Sequence, residues 1–341
     1  MPYEPVVKVA ASVKATRVRW LWPKYVARGQ VTILDGDPGT GKSFITMDLA
    51  ARVSRGDVMP GGRYKGDPEP VLVCNAEDDE GTTIVPRLRA LGADLDRVRL
   101  LSSIRHEGKE EALLLPNAYD TLEMVICQFK PALIIIDPVM AFLSPEVRTF
   151  QDQSVRLALE PLKRLAREHD AAILVVRHLN KNTAAKAIYR GGGSIGLVGL
   201  CRSGLLVGEN PDNPGERLLT QIKNNPAKRQ PSLAYEIEFA DGAPRVAWLG
   251  VREVSADQAL VHNIGRTPLA NACELIRNYL GDNVMKAKEV ALFAMKNGVS
   301  AATVARAHDK IPVISTKINK CWYWSLRAPT EEQKNAITLT Q

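Results

Sequence analysis

The chain has 341 residues, of which 45% are apolar, and its formal net charge is +7. This length allows about two domains, and the apolar content excludes an intrinsically disordered chain. No apolar run approaches the roughly 20 residues of a membrane span, so we expect no membrane partner. The amino terminus lacks an apolar signal core, and we expect a cytoplasmic protein. The five cysteines are scattered without a C-x-x-C pair, which argues against a zinc site or a disulfide framework.

Positive charge is concentrated near the carboxyl terminus. Residues 265–328 hold ten Lys and Arg against four Asp and Glu, so the rest of the chain is nearly neutral. A basic segment of this kind permits a polyanionic partner without requiring one.

The first residues in chain order are an arm and an aromatic segment. Residues 1–16 are polar with scattered valines, and we interpret them as an amino-terminal arm. Trp20 and Trp22 then lead towards the first strand. Two tryptophans so close together favour packing against the protein, and stacking on nucleic-acid bases is the alternative.

Strand and helix patterns alternate through the next part of the chain. Strands are predicted at 31–34, 71–74, 97–102, 132–136 and 171–176, and helices at 44–53, 83–91, 119–129 and 151–169. This alternation predicts an α/β fold with a mainly parallel sheet covered on both faces. Four further runs, at 204–207, 218–223, 234–239 and 246–249, predict an antiparallel extension of that sheet. Ligands of such sheets bind at the carboxyl ends of the parallel strands.

A phosphate-binding motif follows the first predicted strand. The residues Gly36-Asp37-Pro38-Gly39-Thr40-Gly41-Lys42-Ser43 fit the G-x-x-x-x-G-K-[ST] pattern, and a helix is predicted to begin at Phe44. Glycines let successive backbone N–H groups point inward at phosphates, and the helix start adds its positive dipole end. We therefore predict that residues 36–44 bind ATP, with Lys42 on the β- and γ-phosphates and the Ser43 hydroxyl on Mg²⁺.

Three more polar groups stand at predicted strand ends. Asp137 closes an apolar strand, as the carboxylate that positions Mg²⁺ should. The next residue is Pro138, which cannot orient the attacking water, and Glu77 at the end of the neighbouring strand is the best substitute. The alternative for Glu77 is a solvated loop acid, since Asp78 and Asp79 follow it. His178 ends the next strand, where it either senses the γ-phosphate or has a structural role.

Several of these motifs together resemble a known family. They are the loop at 36–43, the Asn75-Ala76-Glu77-Asp78-Asp79 stretch with 86–88, and the strand end at 134–138, with further matches at 177–181, 190–194 and 223–225. This set is similar to the RecA-fold ATPases of RepA-type hexameric helicases, which are related to DnaB. The resemblance covers about residues 17–250 and implies a RecA-like P-loop NTPase fold. It also implies a ring with ATP bound between subunits, and such proteins serve phages, plasmids and integrated elements as replicative helicases.

A ring of this kind needs a basic residue that reaches into the neighbour's site and stabilises charge on the transferred phosphoryl group. Arg202 stands where the resemblance places such an arginine, and Lys223 stands at the place of a second basic group. DnaB-like enzymes usually have an arginine two residues after the second position, but this chain has Asn225 there. Arg190 therefore stays open as the finger, and the alternative for each basic residue is a surface position without a catalytic role.

The carboxyl-terminal segment has a different pattern. Helices are predicted at 268–280, 287–295 and 301–310, with Ser300 as the cap of the third, and a strand or β-wing is predicted at 322–326. This order is typical of a small winged helix-turn-helix domain, which binds either DNA or protein. If it binds DNA, we expect the binding face to carry Lys286, Lys288, Arg306, Lys310, Lys317 and Lys320. The predicted domains are an arm (1–16), a RecA-like ATPase domain (17–250), a linker (251–266), the winged-helix-like domain (267–328) and a flexible tail (329–341).

The function that these observations favour is ATP-driven translocation on single-stranded DNA by a ring, hexameric by the resemblance, as a replicative helicase of a mobile element. One alternative is a helicase loader or recombinase-like ATPase that remodels DNA–protein complexes. A second is an ATP-switched DNA-binding regulator. No primase, zinc-binding or helical collar pattern is visible in the sequence, so priming would need a primase or initiator protein as partner.

Overall fold

The computed structural model of the protein describes residues 5–63, 65–179, 196–213, 215–240, 243–265, 268–281, 283–296, 299–319, 321–331, 333 and 337. Arg190 and the glycines that follow it lie outside the described residues, as does most of the predicted tail. The chain divides into two compact units, Met1–Leu260 and Val261–Gln341.

The elements follow one another in this order along the chain. The strands are β1 (Trp20–Trp22), β2 (Val26–Ala27), β3 (Val31–Gly36), β4 (Val71–Asn75), β5 (Val98–Leu100), β6 (Ser103–His106), β7 (Lys109–Ala112), β8 (Leu133–Asp137), β9 (Ala172–His178), β10 (Ser203–Glu209), β11 (Arg217–Asn224), β12 (Ser232–Ala240), β13 (Ala243–Arg252), β14 (Met285–Lys286), β15 (Ile314–Ile318) and β16 (Cys321–Ser325). The helices are α1 (Lys42–Arg55), α2 (Val85–Ala90), α3 (Tyr119–Phe129), α4 (Asp152–Glu168), α5 (Gly196–Leu200), α6 (Ala256–Gly265), α7 (Pro268–Leu280), α8 (Ala287–Lys296) and α9 (Ala301–Lys310).

A large sheet forms the centre of the first unit. Its described strands lie in the order β13-β12-β11-β10-β3-β9-β8-β4-β5. Neighbours from β10 to β5 are parallel, whereas β11, β12 and β13 continue the sheet antiparallel. This confirms the predicted α/β fold with a mainly parallel sheet.

Both faces of the sheet are covered by apolar side chains. Ile33 of β3 packs in one apolar layer with Leu159 of α4, whereas the next residue, Leu34, packs in the opposite layer with Ile45 of α1. Successive side chains of a strand point to opposite faces, so buried parallel strands become continuous apolar runs. We call the edge at which β3, β4, β8 and β9 end the carboxyl edge, and the edge at which they begin the amino edge.

Trp22 belongs to the protein core. Its side chain is 1% exposed, its ring stacks on Tyr25 with centroids 4.6 Å apart, and Nε1 donates a hydrogen bond to the carbonyl oxygen of Pro60 at 3.0 Å. Packing is therefore confirmed for Trp22, and base stacking is excluded because no face of the ring is accessible.

The segment predicted as a linker has regular structure. β13 runs on to Arg252, and α6 occupies much of what remains of 251–266. Leu260 packs with Leu206 of β10 and Ile222 of β11, and both Leu260 and Ala259 are buried. The structure differs from the linker prediction because these few apolar side chains cover a sheet face that would otherwise be exposed.

The described residues of the second unit include the helices α7, α8 and α9 and a small antiparallel sheet. Side chains of α7, α8 and α9 form one apolar core, which includes Ile276, Val290 and Val304. The sheet has the strand order β14-β16-β15. Ser300 caps α9, since its Oγ accepts a hydrogen bond from the Thr303 N–H at 3.3 Å. None of the described helices in either unit is both long and apolar enough to cross a bilayer.

Candidate nucleotide-binding site

The loop between β3 and α1 has a backbone that requires glycine. Gly41 has a φ of 97°, and a Cβ there would lie 2.9 Å from Cδ1 of Ile237. At Gly36 a Cβ would lie 3.0 Å from Thr40 Oγ1 and 3.1 Å from the carbonyl oxygen of Val207. The loop is therefore held close to neighbouring strands, with the start of α1 directed at it. A helix start of this kind offers N–H groups and a positive dipole end to an anion.

Lys42 lies across the loop. Its Nζ donates hydrogen bonds to the carbonyl oxygens of Gly36 at 2.9 Å and Asp37 at 2.8 Å, and the side chain is buried. Burial lowers the pKa of Lys42, and the carboxylate of Asp137 opposes this shift. The ammonium group is thus placed where phosphate oxygens could replace the two carbonyl acceptors.

Ser43 and Asp137 lie together at the carboxyl edge. Asp137 ends β8 with 3% of its surface exposed, and the Ser43 hydroxyl is close enough to lower the pKa of its carboxyl. Burial raises the pKa of Asp137, whereas the Ser43 hydroxyl and the charge of Lys42 lower it. Oδ2 of Asp137 is buried and has no hydrogen-bond partner among the described residues. A buried carboxylate oxygen beside a hydroxyl suits Mg²⁺, which prefers oxygen ligands and is usually bound by few protein groups together with phosphates.

Asn75 shapes the turn that carries Glu77. Its Oδ1 accepts hydrogen bonds from the N–H groups of Glu77 at 2.9 Å and Asp78 at 2.7 Å, while Ala76 N–H donates to the Asp137 carbonyl oxygen at 3.2 Å. These bonds attach the turn to the end of β8. Asn75 is a positioning residue, a role that its place in the Asn75–Asp79 stretch of the sequence does not reveal.

The acids next to Glu77 are engaged elsewhere. Asp78 pairs with Arg87 at 3.0 Å, and Asp79 caps the following helical turn by accepting a bond from Thr82 N–H at 2.7 Å. Glu77 is left as the acid of this turn that faces the loop, since its charge acts on both Lys42 and Asp137. The Glu77 side chain is 56% exposed, and its role in orienting water stays a prediction.

His178 reaches the same place from β9. It is in register with Gly36, and Nε2 lies 3.6 Å from Oε1 of Glu77. Nδ1 is buried and has no hydrogen-bond partner among the described residues. The structure therefore brings together the loop, Lys42, Asp137, Glu77 and His178, as the strand-end argument predicted.

Arg202 and Lys223 lie at the amino edge instead. Arg202 immediately precedes β10, whose first residue, Ser203, pairs with Thr32 near the start of β3. Lys223 pairs with Gly204, donates a hydrogen bond to the Val198 carbonyl oxygen at 2.8 Å, and has its pKa lowered by burial and also by Arg202. The four residue steps along β3 to the loop span about 13 Å. Neither residue lies beside the loop of its own chain.

A groove at the amino edge contains the exposed Arg202. It has a volume of about 580 Å³ and is lined in part by Leu157, Arg164 and Arg167 of α4. Arg202 and Arg167 make no ion pair among the described residues, whereas Arg164 pairs with Glu123 at 2.7 Å. The groove is therefore lined by basic side chains together with apolar ones such as Leu157 and Leu200.

The antiparallel extension contributes to the site in a way that the sequence analysis missed. Tyr235 of β12 donates its hydroxyl to the Thr40 carbonyl oxygen at 3.1 Å, and Arg217 Cδ would lie 3.8 Å from a Cβ on Gly41. The sequence could not reveal this contact, because alternating polar residues in a predicted strand do not determine its register.

The ring of Phe44 lies under the Arg87 guanidinium, 4.7 Å away. Its contact with nucleotide stays a prediction.

Comparison with known protein families shows to which family the chain belongs. A model of the AAA_25 family, described as an AAA domain, matches residues 3–184, just over half of the chain. The chain belongs to this family of P-loop ATPases, which is related to RecA- and DnaB-like helicases. Comparison with curated proteins finds no match. Family membership and loop geometry together identify a nucleotide-binding P-loop ATPase domain.

Proposed function

We propose that this AAA_25 family member is an ATP-driven motor that assembles head to tail and moves along single-stranded DNA. The observation that carries the proposal is that the residues predicted to be catalytic lie at two opposite edges of one sheet. Lys42, Asp137 and Glu77 lie at the carboxyl edge, whereas Arg202 and Lys223 lie at the amino edge. A second copy that docks its amino edge on the first copy's carboxyl edge would complete the site. Repeated docking of that kind closes a ring when the rotation between subunits allows it.

In this proposal the residues of one chain have separate tasks in hydrolysis. The loop and Lys42 hold the β- and γ-phosphates, while Ser43 and Asp137 hold Mg²⁺, which neutralises charge on the phosphate oxygens. Glu77 orients a water molecule and accepts its proton as the water oxygen bonds to the γ-phosphorus and the bond to the β–γ bridging oxygen breaks. His178, next to Glu77, responds to whether the γ-phosphate is present. Arg202 of the neighbour stabilises the charge on the transferred group.

We propose DNA as the polymer along which the motor moves because the motifs at 75–79, 134–138 and 177–181 resemble those of RepA-type helicases. From this resemblance we propose a hexameric ring that acts as a replicative helicase of a mobile element, with a primase or initiator protein as partner.

A strand-displacement assay on a forked DNA substrate tests the motor. The proposal expects ATP-dependent strand displacement, whereas a helicase loader or recombinase-like ATPase would hydrolyse ATP without displacing a strand.

Mixing variants tests the shared site. Increasing proportions of Arg202→Ala protein in wild-type protein should reduce ATP turnover more than in proportion, because each site borrows a group from its neighbour. Arg156→Ala is the matched control, since Arg156 is also exposed and lies on α4. Strictly proportional loss with Arg202→Ala would show that the arginine does not act on a neighbouring site.

A further inference from the structure

We infer that the second unit binds duplex DNA through a surface formed by α9 and the β15–β16 hairpin. We call it the α9–hairpin face and define it by Ala301, Ala302, Ala305, Arg306, Lys317 and Trp322. The inference concerns a different unit from the proposed motor and does not depend on it.

Contacts of His308 attach α9 to the hairpin. Nε2 of His308 lies 2.9 Å from Ser315 Oγ, and its ring centroid lies 4.7 Å from that of Trp324. Ser315 and Trp324 are paired across β15 and β16, as are Lys317 and Trp322. Directly paired residues share a face, and so do residues two apart on one strand. Lys317 and Trp322 are therefore on the side of the hairpin that carries α9.

The outer end of this hairpin side is open. Trp322 is 53% exposed, whereas Trp324, two residues closer to the helices, packs against the apolar core. Nζ of Lys317 lies 5.9 Å from the centre of the Trp322 ring. A cation and an aromatic ring are thus presented next to α9 and are not covered by it.

Around α9, small residues separate the hairpin from a second cation. With 3.6 residues per turn, Ala301 and Ala305 lie next to His308, and Arg306 lies on the far side of the exposed arc. Ala301, Ala302, Ala305 and Arg306 are all exposed. The result is a ridge of alanines with Asp309 near its middle, Arg306 on one flank and Lys317 on the other.

The shape and the charges of the α9–hairpin face fit duplex DNA. The major groove is about 12 Å wide and admits a helix, more easily where the helix carries methyl side chains. Cations on both flanks would meet the phosphates of the two strands, which supply most of the nonspecific affinity. Single-stranded DNA is bound by rows of stacking aromatics. The face has one exposed aromatic ring, so it suits the duplex better.

Two of the basic residues expected here do not contribute in the described structure. Lys286 pairs with Tyr323, which neighbours Trp322 along β16 and therefore points to the opposite side of the sheet. Lys286 is therefore not part of the α9–hairpin face, because a single residue step along a strand reverses the side. Lys320 lies outside the described residues.

Asp309 opposes binding and supplies a sharp test. Its Oδ1 lies 3.1 Å from Nδ1 of His308, and it sits on the exposed arc of α9. A carboxylate at this position should repel phosphates. Asp309→Asn should therefore tighten duplex binding several-fold, an increase that a purely structural role of the face would not produce.

The experiment measures the affinity of the full chain for a mixed-sequence duplex of about 20 bp, two helical turns, without nucleotide and over a range of salt concentrations. Arg306→Ala and Lys317→Ala should each lower the salt slope by about 1, and at about 0.1 M salt each should weaken binding by about tenfold. Arg277→Ala is the matched control, because Arg277 is exposed on α7 of the same unit and is not among the residues that define the α9–hairpin face. It should change neither quantity.

The substituted side chains are exposed, so an unchanged thermal unfolding midpoint should accompany each change in affinity. Equal effects of Arg306→Ala and Arg277→Ala would overturn the inference, and so would a wild-type chain that binds single-stranded DNA through Arg306 and Lys317 more tightly than the duplex. Unaltered duplex binding in the Arg306→Ala/Lys317→Ala double variant would also overturn it and would make the unit a protein-contact module.

Discussion

Oε1 of Glu77 and Nε2 of His178 lie 3.6 Å apart, although their strands, β4 and β9, are separated in the sheet by β8. The contact passes over the end of β8, where Asp137 lies. Both partners act on that carboxyl: the charge of Glu77 raises its pKa and that of His178 lowers it. A change of charge at the γ-phosphate would therefore act on Glu77, Asp137 and His178, which stand at the ends of three strands.

Glu77→Gln should bind ATP with near wild-type affinity but hydrolyse it at least 100-fold more slowly, because only the group that orients and deprotonates water is lost. Nucleotide binding and single-turnover hydrolysis measure the two effects separately. Asp79→Asn is the control, since Asp79 caps a helical turn and should affect stability rather than the chemical step. If Asp79→Asn stops hydrolysis and Glu77→Gln does not, the base has been assigned to the wrong acid.

ATP binding should take up a proton at alkaline pH. Burial lowers the pKa of Lys42, so the nucleotide-free protein loses this proton below the ordinary lysine range near 10.4. The phosphates favour the charged ammonium and raise the pKa again. Affinity should therefore fall as pH rises through the lowered pKa. Calorimetry in buffers of different ionisation enthalpy measures the uptake.

The control for this measurement is Lys42→Arg, whose guanidinium stays charged throughout this pH range. Proton uptake should disappear in this variant if binding is retained. Equal uptake in wild type and Lys42→Arg would place the titrating group elsewhere.

Asp35 and Arg177 form a buried ion pair beneath the loop, with Nε to Oδ1 and Nη2 to Oδ2 both at 2.8 Å. Burial raises the pKa of Asp35, and the Arg177 bonds oppose that shift. Arg177→Met should reduce the free energy of unfolding by about 3–5 kcal/mol, since it leaves a buried carboxylate without this partner. Adding Asp35→Asn should restore a large part of the loss. Denaturant unfolding tests both, and a double variant less stable than Arg177→Met would contradict the explanation.

The positions of residues in the fold can be predicted from the sequence where one periodic signal determines them. Apolar runs such as β8 and β9 predict parallel strands, and parallel strands bring residues like Asp137 and His178 to one edge whatever the order of the strands. The partner of a given residue depends on register, which these runs do not encode. The pairing of Arg177 with Asp35 and the bond from Tyr235 to Thr40 were missed for that reason. α6 was missed because its buried face is only a few residues long.

The central claim is that the ATPase site is completed by a second copy, and complementation between two inactive variants tests it most directly. Lys42→Ala lacks the loop lysine but keeps Arg202, whereas Arg202→Ala keeps the loop and lacks the arginine. Each alone should be nearly inactive. Mixed after dissociation and reassembly, they should regain ATP turnover well above the sum of the two, because some loops then meet an intact Arg202. A mixture that forms assemblies of both chains yet shows only the summed activity would contradict the account.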